Sequence, residues 1–293
     1  MKKNSRYLLV IIGSLVVMTV SSCNAISQIA LKPSVTPTIS ATPAPTFTPS
    51  PSPTPACTDQ VGKTQQITFK SAVMGEKFTA TVYMPPCYDA SLAGGYPVLY
   101  MFHGQNMDDT FWPSIGLTKE ADIAIGAKKP AFLMVFPYEV HNWDIATESK
   151  FGDAVIDELI PYIESNYNVC TLRQCRAIGG LSRGGGWAMH LGLTHLEMFS
   201  SIGAHSMGWF QGDLYRVQNL LKTHSVSDFP RIYMDRGDQD YLRDSIDIYE
   251  KNLTATGVVH EYHVNPGKHE AAYWQSQVQN YIEWYEEGFA GLN

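Results

Sequence analysis

Residues Ala177–Leu193, with the sequence AIGGLSRGGGWAMHLGL, decide the fold of this chain. An apolar strand-like run, Ala177–Gly180, leads into the pattern Gly-x-Ser-x-Gly, and a segment of helical period, Gly185–Leu193, follows directly. On such a strand–turn–helix the serine is strained so that its hydroxyl is exposed, and flanking glycines prevent collisions with neighbouring backbone. The spacing matches neither a phosphate-binding loop nor a dinucleotide-binding loop. The stretch predicts that Ser182 is a nucleophile; a purely structural tight turn is the alternative.

The remainder of the folded part alternates between strands and helices. Two β-rich runs, Ile67–Val73 and Lys77–Met84, flank Met74-Gly75-Glu76 and predict an antiparallel hairpin. Beyond them, short apolar runs alternate with amphipathic segments, which is the rhythm of a mostly parallel central sheet with helices on both faces. The predicted class is α/β, with the α/β-hydrolase fold as the architecture. The later strands are expected at Pro97–Phe102, Phe132–Phe136, Ala177–Gly180, Phe199–Ala204, Arg231–Asp235 and Val258–Val264, and the clearest helices at Phe151–Tyr167, Asp240–Thr256 and Glu270–Phe289.

His269 is the predicted general base for Ser182. In α/β-hydrolases the triad follows the chain order serine, acid, histidine. His269 lies in the loop Asn265–Glu270, between the last predicted strand and the last predicted helix, where such a base is expected. The other downstream histidines fall on the helix after Ser182, before the region of the acid, or in a predicted strand: His190, His195, His205, His224, His260 and His263.

The acid that orients His269 is expected just after the strand Arg231–Asp235. The run Asp235-Arg236-Gly237-Asp238-Gln239-Asp240 offers three carboxylates there. Asp240 is the favoured one, although it opens a predicted helix and a helix N-cap is an alternative role for it. Asp238 is a close alternative, and Asp235 is more consistent with a structural role.

Two backbone N–H groups are predicted to bind the negative oxygen of a tetrahedral intermediate. One donor comes from the residue after the nucleophile and the other from the loop after the third strand. These are Arg183 and Gln105. The second assignment depends on Tyr100–Gln105, a strand that ends in His-Gly, where His103 is interpreted as a packing residue.

Several stretches of the chain together resemble one known family: Val98–Gly104, Glu158–Glu164, Gly179–Gly185, Pro266–Glu270 and Trp274. They are similar to the "Putative esterase" (esterase D-like) family, which includes feruloyl and acetyl-xylan carbohydrate esterases, enterochelin esterases, S-formylglutathione hydrolases and mycolyltransferases. The resemblance covers the chain from Ile67 to its last residue. The family's acid commonly occurs as Gly-x-x-Asp, so the resemblance implies Asp240 in Gly237–Asp240. Glu270 stands where the family commonly has aspartate, at the start of a helix.

These residues together predict a serine esterase. Ser182 would attack an ester carbonyl and form an acyl-enzyme that water then hydrolyses, with no cofactor and no metal. The resemblance and the predicted secretion favour acyl or feruloyl esters of carbohydrates. An acyltransferase with a sugar acceptor, or a catalytically silent surface binding module, are the alternatives. Four tryptophans near predicted loops are candidates for stacking on substrate, with core packing as the alternative: Trp112, Trp143, Trp187 and Trp209.

The first 22 residues have the anatomy of a secretory signal peptide. Basic residues precede an apolar run, Tyr7–Val20, that is short for a membrane span. Val20-Ser21-Ser22-Cys23 resembles a bacterial lipobox, which implies lipidation of Cys23 and a protein anchored at the cell surface or envelope.

Residues 23–56 are predicted to be a linker rich in Pro, Thr and Ser, and residues 57–293 to be a single esterase domain. Lys32–Pro55 carries almost no large apolar side chain, so it cannot offset its ordering entropy. The formal net charge is −7 and becomes more negative once the basic signal residues are removed. This charge disfavours nucleic acid and anionic lipid headgroups as partners. Oligomeric state is left open.

Four cysteines remain in the folded part, an even number in an oxidising compartment. Cys170 and Cys175 close a tight local loop, and Cys57 with Cys87 would connect the first strands, so these two disulfides are the favoured pairing. Zinc binding is the alternative, although the cysteines are scattered and form no Cys-x-x-Cys motif.

Overall fold

The structure, a computed structural model, describes residues 57–292. The predicted signal peptide, the predicted lipidation site Cys23 and the predicted linker therefore lie outside the described residues. Within the described range, no helix combines the length and the apolar character needed to cross a membrane.

The described chain folds around an eight-stranded sheet with the strand order β1-β2-β4-β3-β5-β6-β7-β8. β1 and β2 form the predicted antiparallel hairpin, β2 also pairs antiparallel with β4, and all later pairs are parallel. The prediction of an α/β-hydrolase fold is confirmed. The strands are β1 (Lys63–Lys70), β2 (Lys77–Met84), β3 (Val98–Phe102), β4 (Leu133–Pro137), β5 (Arg176–Leu181), β6 (Ser201–His205), β7 (Arg231–Gly237) and β8 (Glu261–Asn265).

Helices cover both faces of the sheet, which gives two apolar cores. Alternate residues of β3 show the division: Val98 and Tyr100 enter one core, whereas Leu99 and Met101 enter the other. α3 to α7 contribute to the first core, and α1, α2 and α8 to the second. The helices are α1 (Phe111–Ser114), α2 (Leu117–Gly126), α3 (Phe151–Ala154), which a π-helical turn (Val155–Leu159) joins to α4 (Ile160–Asn166), α5 (Arg183–Thr194), α6 (Arg216–Leu220), α7 (Arg243–Thr256) and α8 (Ala271–Phe289).

Two strand boundaries differ from the prediction. β1 ends at Lys70 instead of Val73, because the carboxylate of Glu158 accepts hydrogen bonds from the N–H groups of Ala72 and Val73, at 2.7 and 3.1 Å. β8 begins at Glu261 instead of Val258, because the carbonyl of Val258 is bonded to Nδ1 of His260 at 2.9 Å and the pairing with β7 starts only at Glu261.

The two predicted disulfides are present. The Cα–Cα distances are 5.6 Å for Cys57–Cys87 and 5.8 Å for Cys170–Cys175, within the usual range for a disulfide. Oxidation of all four thiols removes them as zinc ligands. Among residues 57–292, no group of three or more histidine, cysteine, aspartate or glutamate side chains is arranged to hold a metal ion.

Glu286 is a buried carboxyl group on α8, at the groove that faces α2. Burial raises its pKa from 4.5 to about 7; Lys129 partly offsets this effect and Glu283 adds to it. Its Oε1 atom has no hydrogen-bond partner among the described residues. Because the folded protein keeps this proton to a higher pH than the unfolded chain does, stability falls as the pH rises from about 4.5 to 7.

We expect Glu286→Gln to remove the loss of stability between about pH 4.5 and 7, because glutamine stays neutral at every pH. The free energy of unfolding of the variant should exceed that of the wild type by about 1–3 kcal/mol at pH 8 and match it near pH 4. Urea unfolding across this range would measure the difference. Glu287→Gln is the control, since that side chain is 70% exposed. An equal effect of Glu286→Gln at all pH values would contradict the prediction.

Candidate active site

Ser182 stands at the carboxyl end of β5, at the turn into α5. Its φ of 52° lies in the left-handed region, which residues other than glycine rarely adopt. Three backbone hydrogen bonds hold it there: its N–H donates to the carbonyl of His205 at 2.8 Å, and its own carbonyl accepts from Gly186 and Gly208 at 3.0 and 2.9 Å. Strain of this kind at a serine whose side chain remains partly exposed is a feature of functional sites.

Glycines make this turn possible. A Cβ atom on Gly180 would lie 2.4 Å from the carbonyl oxygen of Gly184. A Cβ on Gly184 would lie 2.4 Å from the carbonyl oxygen of His103. The backbone of the first turn of α5 is therefore in direct contact with the backbone at the end of β3. This contact brings Ser182 close to the loop that follows β3.

The structure brings Ser182, His269 and Asp240 together in one line of hydrogen bonds. Ser182 Oγ lies 2.9 Å from His269 Nε2, and His269 Nδ1 lies 3.0 and 3.1 Å from the two carboxyl oxygens of Asp240. The three residues come from the ends of β5, β7 and β8, because the carboxyl ends of parallel strands share one edge of the sheet. With Nδ1–H donating to a carboxylate, Nε2 is free to accept the proton of the serine hydroxyl.

Asp240 is fully buried and lies in the loop before α7, which begins at Arg243, so the expected helix start at Asp240 is wrong. Its Oδ1 accepts a hydrogen bond from the N–H of Leu242 at 2.8 Å. Burial by itself would raise the pKa of Asp240, but the hydrogen bonds from His269 and Leu242 outweigh it and hold that pKa below its usual value. The group is therefore a carboxylate at neutral pH.

The two alternative carboxylates lie elsewhere. Asp238 is exposed, and its Oδ1 accepts from the N–H of Gly267 at 3.0 Å, which ties the loop after β7 to the loop that carries His269. Asp235 is buried and lies 2.7 Å from Nδ1 of His205, while its other oxygen accepts from the hydroxyl groups of Tyr273 and Tyr281. Of the three carboxylates, only Asp240 contacts His269.

The two predicted oxyanion donors belong to segments that adjoin Ser182. Arg183 is the first residue of α5, where a backbone N–H has no partner within the helix. Gln105 follows Gly104, and a Cβ on Gly104 would lie 3.4 Å from the Cβ of Ser182. Among residues 57–292, neither N–H donates to a backbone or side-chain acceptor, so both remain available to a ligand.

The four candidate tryptophans have different environments. Trp112 and Trp187 are only 1% and 2% exposed and pack in the two cores, so the prediction that they stack on substrate is wrong. Both fill gaps between helix and sheet, which is the usual place of a large aromatic ring on a buried helix face. Trp209 is half-buried beside Gly208, and its Nε1–H donates to the carbonyl of Ser245 at 3.1 Å. Trp143 is 71% exposed.

Tyr241 is an aromatic residue at the site that sequence reasoning missed. Its ring centroid lies 4.4 Å from that of His269, and the residue is 72% exposed. Its position directly after the favoured acid was the available signal. An exposed aromatic ring against the imidazole of His269 offers a contact surface to a ligand.

We expect Gly184→Ala to destabilise the protein by about 1–3 kcal/mol or more, because the new Cβ would overlap the backbone of β3. Ester hydrolysis should fall with it, since the turn at Ser182 must move. Thermal unfolding and activity measure the two effects. Gly208→Ala is the matched control, because its Cβ would meet only Leu242 Cδ1 at 3.8 Å. Equal stability of the two variants would contradict the predicted close approach.

Proteins of similar sequence include esterases. An endo-1,4-beta-xylanase/feruloyl esterase of Xylanibacter ruminicola is 35% identical over 174 residues, covering 55% of this chain and 24% of that protein. An esterase of Mycobacterium tuberculosis is 30% identical over 147 residues, covering 47% of this chain and 31% of that protein. The chain thus spans about a quarter to a third of the length of these relatives.

Solved structures extend the likeness over most of the domain. A ferulic acid esterase superposes with a TM-score of 0.69 at 25% identity, covering 78% of this chain and 99% of that chain. An S-formylglutathione hydrolase of Staphylococcus aureus has a TM-score of 0.63 at 16% identity, covering 77% and 99%. The sequence profile of the family described as "Putative esterase" matches residues 71–284. The chain therefore belongs to the "Putative esterase" family of α/β-hydrolases.

Proposed function

We propose that this protein is a serine carboxylic-ester hydrolase in which Ser182, His269 and Asp240 form the catalytic triad. The observation that carries the proposal is the unbroken hydrogen-bond line from Ser182 Oγ through His269 to the Asp240 carboxylate. Family membership supports the same reaction class. The intact triad also favours an active enzyme over a silent binding module.

Each group has a role in the proposed mechanism. Ser182 Oγ attacks the ester carbonyl while His269 Nε2 takes its proton, and Asp240 stabilises the imidazolium that forms. The N–H groups of Arg183 and Gln105 would bind the negative oxygen of the tetrahedral intermediate. His269 then gives its proton to the leaving alcohol, and water repeats the sequence to release the acid from the acyl-enzyme.

Acyl or feruloyl esters of carbohydrates are the proposed substrates. Tyr241 packs against His269, and planar phenolic or sugar rings stack on exposed aromatic surfaces of this kind. Trp143 and Trp209 are exposed and half-buried and directly follow Asn142 and Gly208, which are hydrogen-bonded to Asn106 and Ser182. One relative's name joins a xylanase to a feruloyl esterase, which supports polysaccharide-linked esters.

The proposed location is outside the cytoplasmic membrane, with a lipid anchor on Cys23. Two disulfides support an oxidising compartment, because thiols in the cytosol are kept reduced. The proposed partner, apart from the anchoring membrane, is an ester substrate, either small or attached to a polysaccharide; the negative net charge disfavours nucleic acid.

We expect Ser182→Ala, His269→Ala and Asp240→Asn each to lower kcat by about a thousandfold or more, since the triad acts as a unit. Hydrolysis of acetyl, butyryl and methyl ferulate esters by the mature protein would measure this and rank the acyl groups. Asp238→Asn is the matched control and should retain activity, because Asp238 does not contact His269. Undiminished hydrolysis by Ser182→Ala would refute the mechanism. A sugar acceptor added to the assay, followed by product analysis, separates hydrolysis from acyl transfer.

We expect Tyr241→Ala to raise KM for methyl ferulate by about two- to tenfold, the range of an aromatic contact, with little change for an acetyl ester. Tyr241→Phe should behave as the wild type, because the ring makes the contact. Tyr215→Ala, at another tyrosine that is 58% exposed, is the control. Equal effects on both esters would show that Tyr241 supports His269 and does not contact the acyl group.

A further inference from the structure

An ion pair almost out of contact with solvent connects the nucleophile turn to the loop after β4. Arg183 Nε and an outer guanidinium nitrogen donate to the two carboxyl oxygens of Glu139 at 2.8 and 2.6 Å. The side chains are 13% and 3% exposed. A bidentate pair of this kind fixes both distance and orientation. Glu139 is not a member of the proposed triad and supplies neither proposed oxyanion donor.

The backbone of Glu139 holds the other side of the site. Its N–H donates to Nε2 of His103 at 2.9 Å. Nε2 is therefore the acceptor, so the ring proton lies on Nδ1, which donates to the carbonyl of Gly104 at 2.7 Å. Burial lowers the pKa of His103, which keeps the ring neutral in this tautomer. Gly104 directly precedes Gln105, a proposed oxyanion donor.

Asn142 connects Glu139 to Asn106, the residue that follows Gln105. Asn142 donates through Nδ2 to the carbonyl of Glu139 at 3.2 Å, and its Oδ1 accepts from the N–H of Asn106 at 3.4 Å. The peptide groups on both sides of Gln105 are therefore attached to Glu139, which also holds the side chain of Arg183. Arg183 carries the second proposed donor.

We propose that Glu139 is a positioning residue that fixes the two oxyanion donors, the N–H groups of Arg183 and Gln105, relative to each other. The inference rests on the proposed esterase function. An oxyanion donor is effective only within about 2.7–3.1 Å of the developing charge, and these two donors lie on separate segments, the start of α5 and the loop after β3, with no direct bond between them. Glu139 binds the side chain of Arg183 through its carboxylate and His103 through its peptide N–H, and its carbonyl is connected to Asn106 through Asn142. Its contribution is therefore expected in the transition state, where the oxyanion exists, and not in substrate binding.

The test is Glu139→Gln, which keeps the size of the side chain and removes its charge. We expect kcat to fall about 10- to 100-fold with KM within about twofold, because a displaced donor weakens only transition-state binding. The inhibition constant of phenylboronic acid, whose tetrahedral serine adduct mimics the intermediate, should rise in parallel. Asn142→Ala, a milder change without a buried charge, should lower kcat in the same direction by about severalfold.

Glu164→Gln is the matched control. Glu164 pairs with the buried Arg176 at the start of β5, the end of the strand away from Ser182. This variant should lose stability, as Glu139→Gln does, but keep its kcat and its affinity for the boronate. If Glu139→Gln keeps wild-type kcat and boronate affinity, or raises only KM, the positioning role is wrong. That failure is distinct from failure of the proposed function, in which the wild type itself would show no hydrolysis dependent on Ser182.

Discussion

The left-handed backbone at Ser182 is the constraint on which the rest of the site depends. A residue with a side chain adopts this conformation at a cost of about 1–3 kcal/mol, so surrounding contacts must hold it. Here the turn is bonded to the end of β6 through the carbonyl of His205 and to Gly208 just beyond it. Because residues 180 and 184 are glycines, the backbones of β3, β5 and α5 can contact one another directly. Because these three elements pack closely around the turn, the side chain of Ser182 remains partly exposed at the end of the sheet.

Two histidine–aspartate pairs lie at neighbouring strand ends, and their surroundings separate their roles. His205 and Asp235 are both fully buried, and tyrosine hydroxyl groups occupy the remaining oxygen of the carboxylate. Burial and the charge of Asp235 raise the pKa of Tyr273 and Tyr281, which keeps them as donors. This pair has no contact with solvent, and it connects β6 and β7 in the interior of the protein. Nε2 of His269 instead lies beside the hydroxyl of Ser182. The pair of His269 and Asp240 is therefore placed to take part in proton transfer.

The aromatic residues also fall into a buried group and an exposed group. Trp112 donates its Nε1–H to the carbonyl of Phe102 and lies in the core beneath the site, where it supports the end of β3. Tyr241 and Trp143 follow residues that are themselves fixed by hydrogen bonds, Asp240 and Asn142, and both rings remain exposed. A rigid backbone that presents an exposed ring loses little conformational entropy when a ligand stacks on it. Both rings are therefore exposed apolar surface carried by backbone that hydrogen bonds hold in place.

The sequence by itself determined the α/β class, the strands of the sheet, the elbow serine, His269 as the partner in the last loop and the pairing of the cysteines. These features depend on local patterns, namely strand and helix periodicity, glycine spacing and chain order, which short stretches of sequence contain. Only the tertiary structure decided which of Asp235, Asp238 and Asp240 reaches His269, which tryptophans are buried, and that Glu139 connects the two sides of the site. The three aspartates lie within six residues, but only Asp235 belongs to β7, and the turn that follows Gly237 leaves Asp238 exposed and places Asp240 against His269. The contacts of Glu139 with His103 and Arg183 join residues 36 and 44 positions apart, and no local pattern records such a distance.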